Sequence, residues 1–182
     1  MNPPAPTLPL ISQHELQAMA YSDPLTGLGN KYRLRDKIKL LAAERAADPA
    51  PFAVGIVNID GFKPINDLFG AHAGDEILCQ VAHRLKACMM DGSIVTRHDG
   101  DEFAFILPLI FERSGAERIG QMIKDVLSAP YDLGDRNVRL SSSFGFAIHP
   151  FAGEEFEDLM KSAETALYRS KRRGRGQITV YS

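Results

Sequence analysis

Apolar and polar positions alternate in blocks along the chain, and the period of each block predicts an element. SQHELQAMAY (12–21) opens with Ser12 three residues before Glu15, the spacing of a capping box, and predicts a short helix. Asp23-Pro24 stops it, because the residue before a proline avoids the helical region. DPLTGLGN (23–30) is a tight loop with two glycines. From Lys31 to Ala47 the apolar positions Leu34, Ile38, Leu41 and Ala42 recur at helical spacing. PFAVGIVNID (51–60) is a β-branched apolar run that predicts a buried strand. After Gly61 comes a short mixed segment, FKPINDLFG, and then a helix from about Ala73 to Met89 with Ile77, Leu78, Val81, Leu85 and Cys88 on one stripe. SIVTRHDGDEFAFILP reads as strand, turn, strand, with Asp99-Gly100 a favoured type I′ pair. Helical period returns over 114–128. NVRLSSSFGFAIHP (137–150) predicts one strand with a possible bulge at Gly145. FEDLMKSAETALYRSKRRG is a last amphipathic helix, and QITVYS a last strand.

Helices and strands are interleaved, and two strands form a hairpin. This excludes an all-parallel doubly wound sheet and predicts an α/β (α+β) sandwich around a mixed sheet. The βα–ββ–αβ core order is that of a ferredoxin-like split βαβ unit. A length of 182 residues fits one domain, expected over 21–182, behind a lead-in and short helix over 1–20. Four of the eleven prolines fall in residues 1–10, which predicts an extended start.

Charge narrows the classes of partner. With 21 Lys+Arg against 23 Asp+Glu the formal net charge is −2, which argues against binding duplex nucleic acid or a membrane surface by bulk charge. No apolar run approaches the ~20 residues of a membrane span, and MNPPAPTLPL lacks the basic start of a secretory signal. Cys79 and Cys88 lie nine positions apart on one predicted helix, ~13.5 Å of rise and out of phase, so they read as reduced thiols of a cytoplasmic protein.

Common phosphate loops, a zinc ligand pattern and a nucleophile elbow are missing. Ser141, Ser142 and Ser143 read as hydrogen-bonding fillers on a strand. The candidates for chemistry are acidic residues at element ends: Asp60 after the first strand, and Asp99, Asp101 and Glu102 at the hairpin tip. Such a cluster beyond strand ends suits Mg²⁺, which takes hard oxygens and shares them with phosphates; it is equally what turn-forming aspartates produce. KRRGR (171–175) reads as a nucleic-acid patch, as charge complementing a helix C-terminus, or as a phosphate clamp of Lys171 and Arg175.

Five motifs in order resemble those of GGDEF domains, the diguanylate cyclases: DPLTGLGN, NIDGFKPINDLFGAHAGDEIL (58–78), RHDGDEF (97–103), SSSFGFAIHP (141–150) and ALYRSKRRGRG (166–176). The resemblance implies a five-stranded, mainly antiparallel sheet wrapped by helices, like a nucleotidyl-cyclase palm. It implies condensation of two GTP, held face to face by two protomers, into cyclic di-GMP and pyrophosphate, with Mg²⁺ or Mn²⁺. Carried over, Asn66 and Asp75 would read guanine. Lys171 and Arg175, with Lys63 and the backbone at Gly61 and Phe62, would take the triphosphate. Asp101 and Glu102 would be catalytic. The metal would sit on Asn58, the Ile59 carbonyl, Asp101 and Glu102.

The chain departs from the pattern at three places. Asn58 stands where the family has a metal-ligating aspartate, Asp99 replaces the first glycine of the signature, and Met90-Asp91-Gly92-Ser93 replaces the R-x-x-D of product inhibition. Asn58 removes a charge from a small ligand set, and Asp99 adds one where phosphate should pass, unless Asp99 serves as a replacement ligand. The reading is a degenerate GTP-binding domain that regulates an attached or partner EAL phosphodiesterase. An active, homodimeric cyclase is the alternative, and a scaffold without nucleotide is a third.

Overall fold

The computed structural model describes residues 12–44 and 51–182. The proline-rich lead-in and the end of the second predicted helix (45–47) lie outside the described residues. The central sheet has five strands: β1 (Phe52–Ile59), β2 (Ile94–Asp99), β3 (Glu102–Pro108), β6 (Ser142–His149) and β7 (Ile178–Val180). Their order is β2-β3-β1-β6-β7. All pairs are antiparallel except β6–β7, which is parallel. β4 (Tyr131–Asp132) and β5 (Asn137–Val138) form a small separate hairpin. The helices are α1 (Gln13–Tyr21), α2 (Lys31–Glu44), α3 (Phe62–Phe69), α4 (Ala71–Cys88), α5 (Arg113–Leu127) and α6 (Phe156–Arg172). The mixed, mainly antiparallel α/β sandwich expected from the element order is the observed fold.

β1 is apolar except for Asn58 near its end because both faces of the sheet are covered, and all eight of its residues are buried. Side chains alternate between two cores, as the period of a strand requires. Ala53, Val57 and Ile59 join the Phe103–Phe105 and Phe144–Phe146 face, which packs on Ile77, Val81 and Leu85 of α4 and Ile123 of α5. Phe52, Val54 and Ile56 face the other way, onto Leu34 and Ile38 of α2 and Leu159, Ala163 and Leu167 of α6. The predicted capping box at the start of α1 is present: Glu15 N–H donates to Ser12 Oγ, and Ser12 N–H donates to Glu15 Oε2 at 2.8 Å.

Four local expectations need correction. FKPINDLFG is a helix, α3. Pro64 sits in its first turn, where a missing N–H is tolerated. The central pair of the β2–β3 turn is Gly100-Asp101, since Asp99 still pairs with Glu102. Gly100 has φ 47 and Asp101 is not among the positive-φ residues, so the turn is not type I′. The irregularity in this hairpin lies between Arg97 and Asp99. NVRLSSSFGFAIHP is two strands, β5 and β6. β5 belongs to the small hairpin, which Arg84 of α4 pins by donating to the Ala129 and Pro130 carbonyls. Gly145 is in regular register opposite Ile56 and makes no bulge.

Gly145 is there for close approach. A Cβ at this position would lie 2.2 Å from the Ala163 carbonyl oxygen and 2.3 Å from the Leu167 nitrogen, both backbone atoms of α6. α6 carries residues of the candidate site, so its seating on β6 sets their position. Gly145→Ala is expected to lower the unfolding free energy by about 1–3 kcal/mol or more through overpacking. Denaturant unfolding measures this, and a loss under about 0.5 kcal/mol, the size of an ordinary surface substitution, would contradict the packing argument.

Candidate functional site

Three chain segments meet at the C-terminal end of β1. β1 itself runs out at Ile59, and Gly61, in the left-handed region at φ 76, turns the chain into α3. Gly61 has no side chain to cap α3, so the first N–H groups of that helix are left for other acceptors. The β2–β3 turn is fastened alongside by the Ile59 N–H, which donates to the Asp101 carbonyl at 3.2 Å. The third segment is the end of α6 and the glycine-flanked turn after it. Together they enclose an open cavity of about 450 Å³.

Residues 58–63 line this cavity from the end of β1 and the start of α3, Asp60 among them, with Asp101 from the turn and Lys171 and Arg175 from α6 and the following turn. Glu102 joins them through its partners. Its Oε1 accepts from Lys171 Nζ at 3.3 Å and lies 3.5 Å from Asn58 Nδ2. The carboxylates present are unequal. Asp60 is 6% exposed, and its oxygens accept from the hydroxyls of Ser141 and Ser143 and from the Gly176 N–H. The reading of the serines as hydrogen-bonding fillers agrees with this arrangement. Asp60, grouped by sequence with the potential metal ligands, has its oxygens taken up internally. The Asp101 carboxylate has no hydrogen-bond partner among the described residues. Lys171 is already paired with Glu102, which leaves Lys63 and Arg175 without a carboxylate partner among the described residues, beside the unpaired Asp101; these two cations are what the cavity offers a polyanion.

The two predicted base readers sit apart from this cavity. Asn66 is on α3, and its buried Oδ1 has no hydrogen-bond partner. It is packed so closely on α4 that a Cβ at Gly74 would lie 1.8 Å from it. Asp75, exposed on α4, lines a separate depression with His72, Glu76 and Cys79. Asp99 is exposed at the end of β2 and is not among the lining residues of the cavity.

The donor set does not fit a resident divalent ion. Mg²⁺ relies on one or two carboxylates plus phosphate oxygens. Here Asn58 is uncharged, Glu102 is paired with an ammonium, and Asp101 alone is uncommitted. Among the described residues no group of three or more His, Cys, Asp and Glu could hold a metal.

Sequence reasoning missed the elements that hold the turn carrying Asp101. Arg97 Nε donates to the Gly100 carbonyl at 2.8 Å, and Arg97 Nη1 reaches both Asp23 oxygens at 3.3 and 3.4 Å. Asp23 also accepts from the Thr26 amide and hydroxyl, at 2.9 and 2.7 Å. The loop 23–30 thus docks on β2, where Arg97 N–H donates to the Gly29 carbonyl. Burial pushes the Asp23 carboxyl up, but the Thr26 hydrogen bonds and the Arg97 guanidinium outweigh it and hold the group below the usual carboxylate range. An Asp followed three residues later by Thr was the available signal.

The family described as "Diguanylate cyclase, GGDEF domain" matches residues 20–177. The bifunctional diguanylate cyclase/cyclic di-GMP phosphodiesterase MucR of Pseudomonas aeruginosa is 34% identical over 90% of this chain and 24% of its own length. The cyclic di-GMP phosphodiesterase PdeR of Escherichia coli is 32% identical over 94% of this chain and 25% of its own length. The chain thus spans about a quarter of the length of these relatives. Among solved structures, the GGDEF domain of TpbB (YfiN) from Pseudomonas aeruginosa superposes with TM-score 0.84 at 30% identity, covering 88% of this chain and 94% of that one. Among the described residues no helix is long and apolar enough to cross a membrane.

The Asp23 anchor has a pH signature. A carboxyl with a depressed pKa in the folded state contributes stability above its unfolded value, about 3.9, and loses it as pH falls through the folded value. Asp23→Asn is expected to cost about 1–3 kcal/mol at pH 7, as for a charge-assisted hydrogen-bond set, and the gap to the parent should close below pH ~4. Thermal or urea unfolding from about pH 2.5 to about pH 7, which spans the carboxylate range, checks it; an equal gap at both ends contradicts the assignment.

Proposed function

The chain belongs to the diguanylate cyclase GGDEF domain family of cyclic di-GMP signalling, and from that premise we propose that it binds GTP as a regulatory domain with little or no cyclase activity. The observation that carries this is the imbalance in the cavity. Lys63, Lys171 and Arg175 face inward for a triphosphate, while the carboxylates of a working metal site are reduced to Asp101. Diguanylate cyclase domains of this family generally use Mg²⁺ or Mn²⁺; Asn58 withholds one charge from that ion, and the Lys171–Glu102 pair withholds another.

Phosphate binding and the ion pair are linked. Lys171 exchanges Glu102 for phosphate oxygens when the nucleotide enters, so part of the phosphate attraction offsets a broken contact. The first N–H groups of α3 add a fixed positive end to the same cavity. Asn66, with a buried acceptor that lacks a partner, suits the N–H groups of guanine, and Asp75, next to the Gly74 against which Asn66 packs, would complete the base contact.

As part of a longer protein, the domain would regulate an attached or partner phosphodiesterase of the EAL type. The names of MucR, which pairs cyclase and phosphodiesterase, and of PdeR, a phosphodiesterase, support this reading. A homodimer is not required by a domain that binds without condensing.

Calorimetric titration of the purified chain with GTP, with and without Mg²⁺, tests the proposal alongside chromatography of the products. Saturable binding that changes little on chelation, with no cyclic di-GMP, is expected. Lys171→Ala should weaken GTP by about tenfold, the scale of one lost charge-assisted contact. Rapid formation of cyclic di-GMP would establish the active cyclase instead. The absence of any nucleotide binding would establish a scaffold.

A further inference from the structure

We propose that Asp60 is a positioning residue that sets the phosphate-facing Arg175 through the turn after α6, rather than a ligand of metal or nucleotide; the inference rests on the reading of the cavity as a triphosphate site. Arg175 is one of only two non-glycine residues with positive φ among the described residues, at φ 62. A side chain in the left-handed region costs energy, so the surrounding structure must hold it there. The holding contacts are specific. Arg175 N–H donates to the Ser170 carbonyl at 3.2 Å. The next residue is gripped from both sides: Gly176 N–H donates to Asp60 Oδ2 at 3.1 Å, and the Gly176 carbonyl accepts from Lys124 Nζ of α5 at 2.5 Å.

Asp60 is the hub of this arrangement. Its Oδ2 takes Ser141 Oγ at 2.8 Å and Ser143 Oγ at 3.0 Å besides the Gly176 amide, and its Oδ1 takes Ser143 Oγ at 2.8 Å. Ser143 Oγ also lies 3.1 Å from the Gly176 nitrogen. One buried carboxylate thereby ties the end of β1, the start of β6 and the turn after α6. Asp60→Asn keeps one acceptor oxygen but turns an N–H₂ toward Ser143 Oγ, which must then accept where it donated while it still takes the Gly176 N–H.

The charge of Asp60 and its geometry predict opposite outcomes. If Asp60 acted on a triphosphate only through its negative charge, Asp60→Asn would tighten GTP binding. If it positions Arg175, the same change weakens GTP by about tenfold, the scale of losing charge-assisted hydrogen bonds. The loss should be small for guanosine, which carries no phosphate. In an Arg175→Ala background, Asp60→Asn should cost little more, because the two residues act as one unit. Hydrogen exchange of the Gly176 amide, which needs no ligand, should accelerate in Asp60→Asn. Should that variant fail to fold, Ser143→Ala removes one donor from the hub and is expected to give the same pattern at smaller size.

Tighter or unchanged GTP binding in Asp60→Asn, or equal losses for guanosine and GTP, would overturn the proposal. Additive losses with Arg175→Ala would overturn it as well. If the parent chain binds no GTP, the triphosphate reading itself fails. The inference about Asp60 fails separately when the parent binds and the variant behaves like it.

Discussion

The end of β1 is the constraint on which the rest depends. This strand is buried on both faces, so its path is fixed by two cores at once. Where it leaves the sheet, the backbone has unpaired groups and a buried carboxylate that must be satisfied. They are satisfied by neighbours from distant parts of the chain: the Asp101 carbonyl, the Ser141 carbonyl and two serine hydroxyls. Those neighbours belong to the hairpin turn and to β6, so satisfying the strand end also gathers the cavity walls. The tight seat of α6 on Gly145 brings the remaining wall to the same place.

Electrostatics then decides what the gathered wall can do. A carboxylate counted from sequence is a possible ligand, but its availability depends on its partners. Asp60 is consumed by hydroxyls and an amide, Glu102 by Lys171, and Asp99 stands outside the cavity lining. What remains is two cations, Lys63 and Arg175, without a carboxylate partner among the described residues, beside one free acid.

Much of the fold was legible because burial imposes clear periods. The β-branched apolar run of β1, the stripe of α4 and the capping box at Ser12 each predicted their element. The misses have local causes. α3 was hidden by Pro64 and its flanking glycines, which signal a loop unless the proline falls in the first turn. The turn pair was displaced by one residue because Asp99 is extended enough to pair with Glu102. Gly145 looked like a bulge because sequence shows the missing side chain but not the helix backbone lying against it. At the site, motif resemblance named the residues that line the cavity, including Lys63, Lys171 and Arg175. It could not show that Glu102 and Lys171 neutralise each other, or that Arg97 reaches back to Asp23, since both are contacts between residues 69 and 74 positions apart.

The account turns on the shortage of carboxylate at the end of β1, and restoring it is the most direct test. The double variant Asn58→Asp, Asp99→Gly supplies the missing acid and removes the stray one. Mn²⁺ binding, followed by electron paramagnetic resonance in the presence of GTP and paired with a cyclic di-GMP assay, should show tighter metal binding and new or greater product formation than in the parent. A double variant that binds Mn²⁺ no better than the parent, or a parent that already turns over rapidly, would contradict it.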